Sequence, residues 1–364
     1  MIGQRDKPLH PDWSGTRLAV RMSRPAPPTP PAIWNLMPDS NSPPSLVSGQ
    51  QPVGIQAAVL ALLISALWAG TPAAIKYSVE TFSPVTVAAL RFSLGAAFMV
   101  FWCRFEGTPL WPGPGQWGAV TLAGVLLFVQ ISLFNEGVAW SNATHSSLMI
   151  NTFVFWVVLI EHFITRVDRL SARKGVGLIL AAFGAVLVLL TDGHAEPSAA
   201  APQGSDLASN VSSVSGDLLL LLSAVVLAVK ITFIKQSLKY IEPGKLILWH
   251  DVVGVVLFGA WALALEQPVH DDIKTTALLA IAYQGLLVAG LCFAIQTMLL
   301  RRHSASRISM FAFATPLFGI VAGVALRGDA LSPWLLVSAA CVALGIALVN
   351  MPARERNDAA QPGR

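Results

Sequence analysis

Two ionisable side chains stand where a charge is expensive. Lys230 and Asp251 each lie within a long apolar run. A charge in hydrocarbon costs at least about 2.5–3.5 kcal/mol on insertion scales, so it faces a cavity or a partner. Lys230 lies five residues before Lys235, about 7.5 Å deeper along a helix, and Asp251 lies six residues beyond Lys245, about 9 Å deeper. Consecutive apolar segments therefore carry a cation and an anion at similar depth. Two chemistries fit this spacing. A protonatable Asp251, released from Lys230 as a gate moves, would be a coupling site; a permanent ion pair would tie two helices together. His250 adjoins Asp251 but points about 100° away from it on a regular helix.

Other polar residues in apolar runs carry paired readings. Glu161-His162 is either a proton relay or an interfacial pair snorkelling to water beside Arg166. Arg91 either bonds loop carbonyls or binds an anion. Asn135 and Gln296 occupy matching places under a shift of 161 residues and are either cavity hydrogen-bonders or interhelical ties, the latter worth about 0.6 kcal/mol on average. Asn151 is a further polar candidate, and Trp68, with Phe153 and Trp156, could wall an apolar substrate site or pack against lipid and core. A proline frees a backbone carbonyl, and irregular backbone at membrane depth must be buried or line a cavity. Gly70, Pro72 and Pro316 are therefore hinge or gate candidates, the alternative being a fixed packing kink. The Gly319-x-x-x-Gly323 spacing suits a homodimer contact or intramolecular packing.

Several function classes find no support. The chain has no H-E-x-x-H, no G-x-S-x-G and no G-x-x-x-x-G-K-[ST], so neither an integral-membrane enzyme nor self-contained ATP drive is indicated. The seven His are scattered, and Cys103, Cys292 and Cys341 form neither a disulfide framework nor a zinc spacing. No cofactor and no metal is expected, and the cysteines read as packing residues. A net charge of +4 without a basic run interleaved with aromatics does not point to nucleic acid.

The elements that must position these residues follow from hydropathy. Hydrophobic residues make up 54% and charged residues 12%, about half the charged share of a soluble domain. Ten apolar segments of roughly 17–25 residues, each long enough to span a bilayer as a helix, run over 55–75, 84–103, 116–135, 145–165, 172–190, 214–234, 245–265, 276–300, 307–326 and 333–350. With the N-terminus placed in the cytoplasm, nineteen of the 24 Lys and Arg fall on the cytoplasmic side, as the positive-inside rule requires. The expectation is an all-α integral membrane protein of the cytoplasmic membrane, multi-pass, with ten transmembrane helices and both termini cytoplasmic.

Residues 1–52 are Pro-rich, lack a signal-peptide core and cannot bury enough surface to order themselves. They read as a disordered N-tail, or as an upstream extension with Met22 or Met37 as the true start. Residues 191–213 read as a flexible extracytoplasmic loop and 351–364 as a polar C-tail. Between them lie two similar units, 53–190 and 214–350. A shift of 159 pairs Lys76 with Lys235, Ser78 with Ser237 and Pro84 with Pro243; a shift of 161 pairs Asp168 with Asp329, Ser171 with Ser332 and Gly184 with Gly345. Five spans per unit insert the second upside down relative to the first. This inverted repeat is the architecture of many secondary transporters, which rock two halves around a site near the midplane. A membrane scaffold or sensor is the rival reading.

The segment LWAGTPAAIKYSVETFSPVTVAALRF, with Trp68, Gly70, Lys76, Pro84 and Leu90-Arg91-Phe92, resembles the first repeat of the drug/metabolite transporter superfamily, in its ten-helix EamA-type branch. Pro316, Gly328-Asp329 and Gly345 resemble that family's last two helices, and residues 216–243 its sixth. The chain departs from the family where Phe155 replaces a common helix-4 Pro and Asp329 a common Glu. The resemblance implies a carrier of small metabolites, amino acids or drugs, often proton-coupled. Its partners would be a small-molecule substrate, the lipid bilayer and, as candidate coupling ion, the proton. Substrate, direction and oligomeric state are not written in the sequence.

Overall fold

The computed structural model describes residues 53–141, 146, 149–168, 170–192, 214–266, 269, 272–319, 321 and 333–351. The Pro-rich tail, the stretch 193–213, the residues past 351, and Gly323, Gly328 and Asp329 lie outside the described residues. The regular structure among the described residues is helical, apart from one isolated bridge between Phe82 and Val269. In chain order the helices are α1 (Ile55–Ala69), α2 (Thr71–Val79), α3 (Pro84–Glu106), α4 (Trp117–Trp140), α5 (Phe153–Leu159), α6 (Ala172–Asp192), α7 (Val214–Ser237) and α8 (Pro243–Leu265). They continue with α9 (Thr275–Ala282), α10 (Phe293–Arg302), α11 (Ala305–Ser309) and α12 (Pro333–Asn350). Wider π-type turns extend α5 over Ile160–Thr165 and join α9 to α10 over Tyr283–Cys292, and a 3-10 segment, Met310–Ala314, follows α11.

Six helical stretches among the described residues are long and apolar enough to cross a membrane: 55–79, 84–106, 117–140, 214–237, 243–265 and 275–302. The chain is a multi-pass helical membrane protein. Local chemistry sets the helix ends. Pro84 and Pro243 stand in the first turns of α3 and α8, where the missing N–H has no helical partner to lose. Gly107, at φ 69°, closes α3 in the left-handed conformation, with its N–H on the Arg104 and Cys103 carbonyls.

Packing follows small residues as well as apolar ones. α3 packs along α8, α4 along α7 and α8, and α6 along α12. The α6–α12 contact is backbone on backbone, because a Cβ at Gly177 would stand 2.8 Å from the Gly345 carbonyl and one at Gly345 2.5 Å from that of Gly177. Neighbouring Gly175 has no such contact. One continuous core joins residues of both sequence units, from Ala61 and Met99 through Ala228 and Leu299 to Val349.

Candidate functional site

The charges expected at similar depth meet in one buried cluster. Lys230 is 3% exposed, and Asp251 and His250 are fully buried. Lys230 and Asp251 are not joined by a direct ion pair, and each has another partner instead. Lys230 Nζ donates to Gln130 Oε1 at 2.9 Å, and Gln130 Nε2 donates to Ser223 Oγ at 3.1 Å. Asp251 Oδ1 lies 2.8 Å from His250 Nδ1. The imidazole thus reaches back to the carboxylate that helix geometry points it away from. Arg91, also buried, holds its Nη1 3.5 Å from Gln284 Oε1, and Gln284 Nε2 donates to Ser78 Oγ at 2.9 Å. Arg91 and Asp251 both act electrostatically on Lys230.

Close helix approach puts these groups together. A Cβ at Gly95 would lie 2.9 Å from Ala289 Cβ and 3.2 Å from Asp251 Oδ2. Asp251 therefore sits against α3, one turn from Arg91. Three polar atoms of the cluster, Arg91 Nε, His250 Nε2 and Asp251 Oδ2, have no hydrogen-bond partner among the described groups.

A second feature lies beside it. Ser65, Trp68, Phe153, Gln296 and Ser309 line a cavity of about 10 Å³, close to the least volume that admits one water. No charged side chain lines it. Ser65 donates to the Phe311 carbonyl at 2.9 Å, and Ser309 Oγ has no partner among the described groups. Two sequence candidates, Trp68 and Gln296, therefore share one cavity.

Gly70 ends α1 and begins α2, with Pro72 in the first turn of α2. The break leaves the Leu67 carbonyl to a side chain, the hydroxyl of Tyr283 from the π-type turn. A Cβ at Gly70 would stand 2.7 Å from that hydroxyl. Pro316 is buried, just past the 3-10 segment.

Glu161 and His162 take separate partners. Glu161 accepts the N–H groups of Ala305 and Ser306, each at 2.8 Å, and so caps α11. His162 Nδ1 accepts the Leu170 N–H at 3.0 Å. Beside them Asp168 accepts from Ser304 Oγ at 2.9 Å and Ser306 Oγ at 3.0 Å, and pairs with Lys174 and with Arg307. Burial pushes the Asp168 carboxyl up, but Lys174, Ser304 and Arg307 outweigh it and hold the group below the usual range. Asn135 is buried and donates to the Pro84 carbonyl at 2.8 Å, as an interhelical tie. Asn151 is buried in the helical turn before α5.

Contacts recur at the sequence offset. Lys76 Nζ donates to the Ser141 carbonyl at 3.2 Å, and Lys235 Nζ to the Leu300 carbonyl at 2.6 Å. Both members of the second pair stand 159 residues after those of the first. Glu266, at the end of α8, accepts the Val85 and Thr86 N–H groups at 3.1 Å. Glu106, 160 residues earlier at the end of α3, lies over the first turn of α8, its Oε2 3.1 Å from where a Gly244 Cβ would stand. Sequence reasoning passed over Gln130, Gln284, Ser223, Tyr283 and Phe293. The two glutamines carried a usable signal, since each is an amide inside an apolar run.

A model described as the EamA-like transporter family matches twice, over residues 55–190 and 214–351. An "Uncharacterized transporter" of Archaeoglobus fulgidus is 25% identical over 291 residues, covering 80% of this chain and 97% of that protein. A "Probable amino-acid metabolite efflux pump" of Escherichia coli is 25% identical over 297 residues, covering 79% and 92%. A solved crystal structure shares the fold with a TM-score of 0.65 at 18% identity, covering 80% of this chain and 95% of that one.

Proposed function

Because the chain belongs to the EamA-like transporter family, we propose that it is a secondary transporter working by alternating access across the cytoplasmic membrane. Ten spans form two inverted five-helix repeats with both termini cytoplasmic. The family model matches twice, and the lysine-to-carbonyl contacts of Lys76 and Lys235 recur at one offset. Both support a duplicated architecture. The cargo is a small metabolite, amino acid or drug-like molecule, a class that the family match supports; Trp68 and Gln296 meet at a small cavity lined without charge. Import or export is left to the gradient. The bacterial relative named as an amino-acid metabolite efflux pump fits this cargo class.

One observation carries the coupling: a carboxylate, an imidazole and two cations converge in full burial between helices of both repeats. A permanent charge is a poor tenant there, whereas a group that gains and loses a proton as access alternates is not. Asp251 is the proton-binding residue, with His250 on its Oδ1. Lys230 sits across the cluster, held by Gln130, and is the cation released or engaged as Asp251 changes charge. Arg91 fixes the outer side of the cluster through Gln284 and Ser78. Gly70 and Pro72 are the hinge of the first span, and Pro316 is the corresponding break in the ninth.

The test is proton flux in liposomes holding the purified chain and an internal pH dye. Pools of amino acids and small amphipathic metabolites are added, and Asp251→Asn is run in parallel. Substrate-dependent proton movement in the parent, reduced by an order of magnitude or more in the variant, is the expected result. Flux that survives the substitution removes Asp251 from the mechanism. No flux and no counterflow of labelled pools would leave a non-transporting membrane scaffold.

A further inference from the structure

Phe293 occupies a place that neither the cavity nor the charged cluster accounts for alone. It opens α10, where the π-type turn ends. On one side its ring meets Trp68 edge-on, centroids 6.5 Å apart. Trp68 is a wall of the small cavity, and Gln296, three residues along from Phe293 on α10, is another. On the other side the same ring lies 5.5 Å below Lys230 Nζ and meets the His250 ring at 5.9 Å. Phe92 closes a third edge at 6.2 Å. Among the described residues, this is the ring that touches both a cavity wall and the charged cluster.

The chemistry on the two sides differs. The cavity is lined by serine, amide, aliphatic and aromatic groups. Beyond the ring stand Lys230 from α7, Asp251 and His250 from α8, and Arg91 from α3; the acidic residue of α4, Glu136, acts on Glu266 instead. A proton needs a continuous hydrogen-bonded path, and an apolar constriction breaks such a path by excluding water. The Lys230 ammonium over the ring face supplies a cation–π contact that favours this ring position. Trp68 lies two residues before the Gly70 break, so movement of the first span at that hinge shifts the ring that Phe293 leans on.

Building on the transport reading above, we infer that Phe293 is the positioning residue that couples proton to substrate. Its ring seals the Asp251–His250 pair from the cavity beside Trp68. Cargo entering against Trp68 displaces the ring and opens the path. Phe293 touches no reacting atom; it decides when the charged cluster is reachable.

The experiment needs no identified substrate for its first arm. The full chain is reconstituted in liposomes with an internal pH dye, and a potassium-diffusion potential drives protons without added solute. Parent vesicles hold their pH, and Phe293→Ala vesicles leak roughly tenfold faster, as loss of a hydrophobic constriction predicts. Phe293→Ala combined with Asp251→Asn returns to the parent rate, because the leak runs through Asp251. Phe293→Leu keeps an apolar plug and stays tight, and serves if the alanine variant does not fold by size exclusion and melting. In that event Phe293→Gln replaces it as the leaking variant. A tight, folded Phe293→Ala overturns the inference, as does a leak that survives in the double variant. The second arm adds an equimolar mixture of the standard amino acids. Coupled flux in the parent with no leak in Phe293→Ala sinks the seal but leaves transport standing. An Asp251-dependent leak in the variant, with no amino-acid-driven flux in the parent, upholds the seal while the coupling to that cargo fails.

Discussion

Asp168 takes contacts from Ser304, Ser306, Lys174 and Arg307, whereas Asp251 takes one, from His250. The first carboxylate is a fixed anion in a junction at the ends of two helices. The second is surrounded by cations that bond elsewhere, and its Oδ2 is unsatisfied among the described groups. That difference separates a carboxylate fixed by its contacts from the one to which the proposed coupling assigns the proton. It also predicts different pH behaviour. Asp168 is held below the ordinary value by Lys174, Ser304 and Arg307 against the effect of burial. A depressed folded-state pKa contributes stability that is fully present above the unfolded value, about 3.9, and lost as pH falls through the lower folded value. The melting temperature of the detergent-solubilised parent should therefore fall on acidification below that range. Asp168→Asn should melt lower at neutral pH and lose that part of the acid dependence. Parallel melting curves for parent and variant across the acid range would contradict this role.

The broken first span depends on a bond from another helix. At Gly70 the chain leaves one helical register and enters the next, and the Leu67 carbonyl is taken up by the Tyr283 hydroxyl. The acceptor that α1 loses at its end is thus satisfied by the π-type turn, a helical irregularity often found at functional sites. Tyr283→Phe removes the donor and keeps the ring. It should cost about 1 kcal/mol and raise amide exchange around residues 66–74 while leaving α4 and α7 protected. Gly70→Ala, whose Cβ would press on the same hydroxyl at 2.7 Å, should give the same local pattern. Uniform loss of protection across the bundle would argue that the bond holds the whole fold instead of one hinge. At α11 the Glu161 carboxylate on the Ala305 and Ser306 N–H groups does the corresponding work of anchoring an irregular helix. The Glu161-His162 relay suggested by adjacency does not form as a pair, because each side chain is committed to a backbone group on a different element.

For the whole molecule, the repeated contacts make a directional prediction. If the units are inverted, matched loops face opposite sides of the membrane. Pro109, after α3, and Asp272, before α9, are both exposed in such loops. In a background lacking Cys103, Cys292 and Cys341, Pro109→Cys should react with an impermeant maleimide from the cytoplasmic face and Asp272→Cys from the opposite face. Labelling of both from one side would rule out the inverted arrangement. The reciprocal glutamates belong to this scale too. Glu266 caps the start of α3 and Glu106 lies over the start of α8, so each repeat reaches across to a helix terminus of the other, at opposite ends of one tightly packed helix pair.

Hydropathy alone located the helices at six of the ten expected stretches as long, apolar, membrane-length segments among the described residues, because a span must be long and apolar whatever it packs against. The family was legible in Trp68, Gly70, Pro84 and their order, since turns and helix starts impose residue types locally. Lys230 and Asp251 stood out for the same reason, as charges in an apolar background. What tertiary structure decided was who partners whom. The sequence placed Lys230 and Asp251 at one depth, but rotation about each helix axis gave Lys230 to Gln130 and, with α8 in close approach to α3 at Gly95, Asp251 to His250. Asn135 and Gln296, matched by sequence, went to different duties, one to the Pro84 carbonyl and one to the cavity wall. Phe293 was unreadable beforehand because an aromatic in an apolar run carries no signal until four other helices bring Trp68, Phe92, His250 and Lys230 around it. Composition and period act along the chain, whereas partner choice depends on helix rotation and spacing, which only the packed bundle fixes.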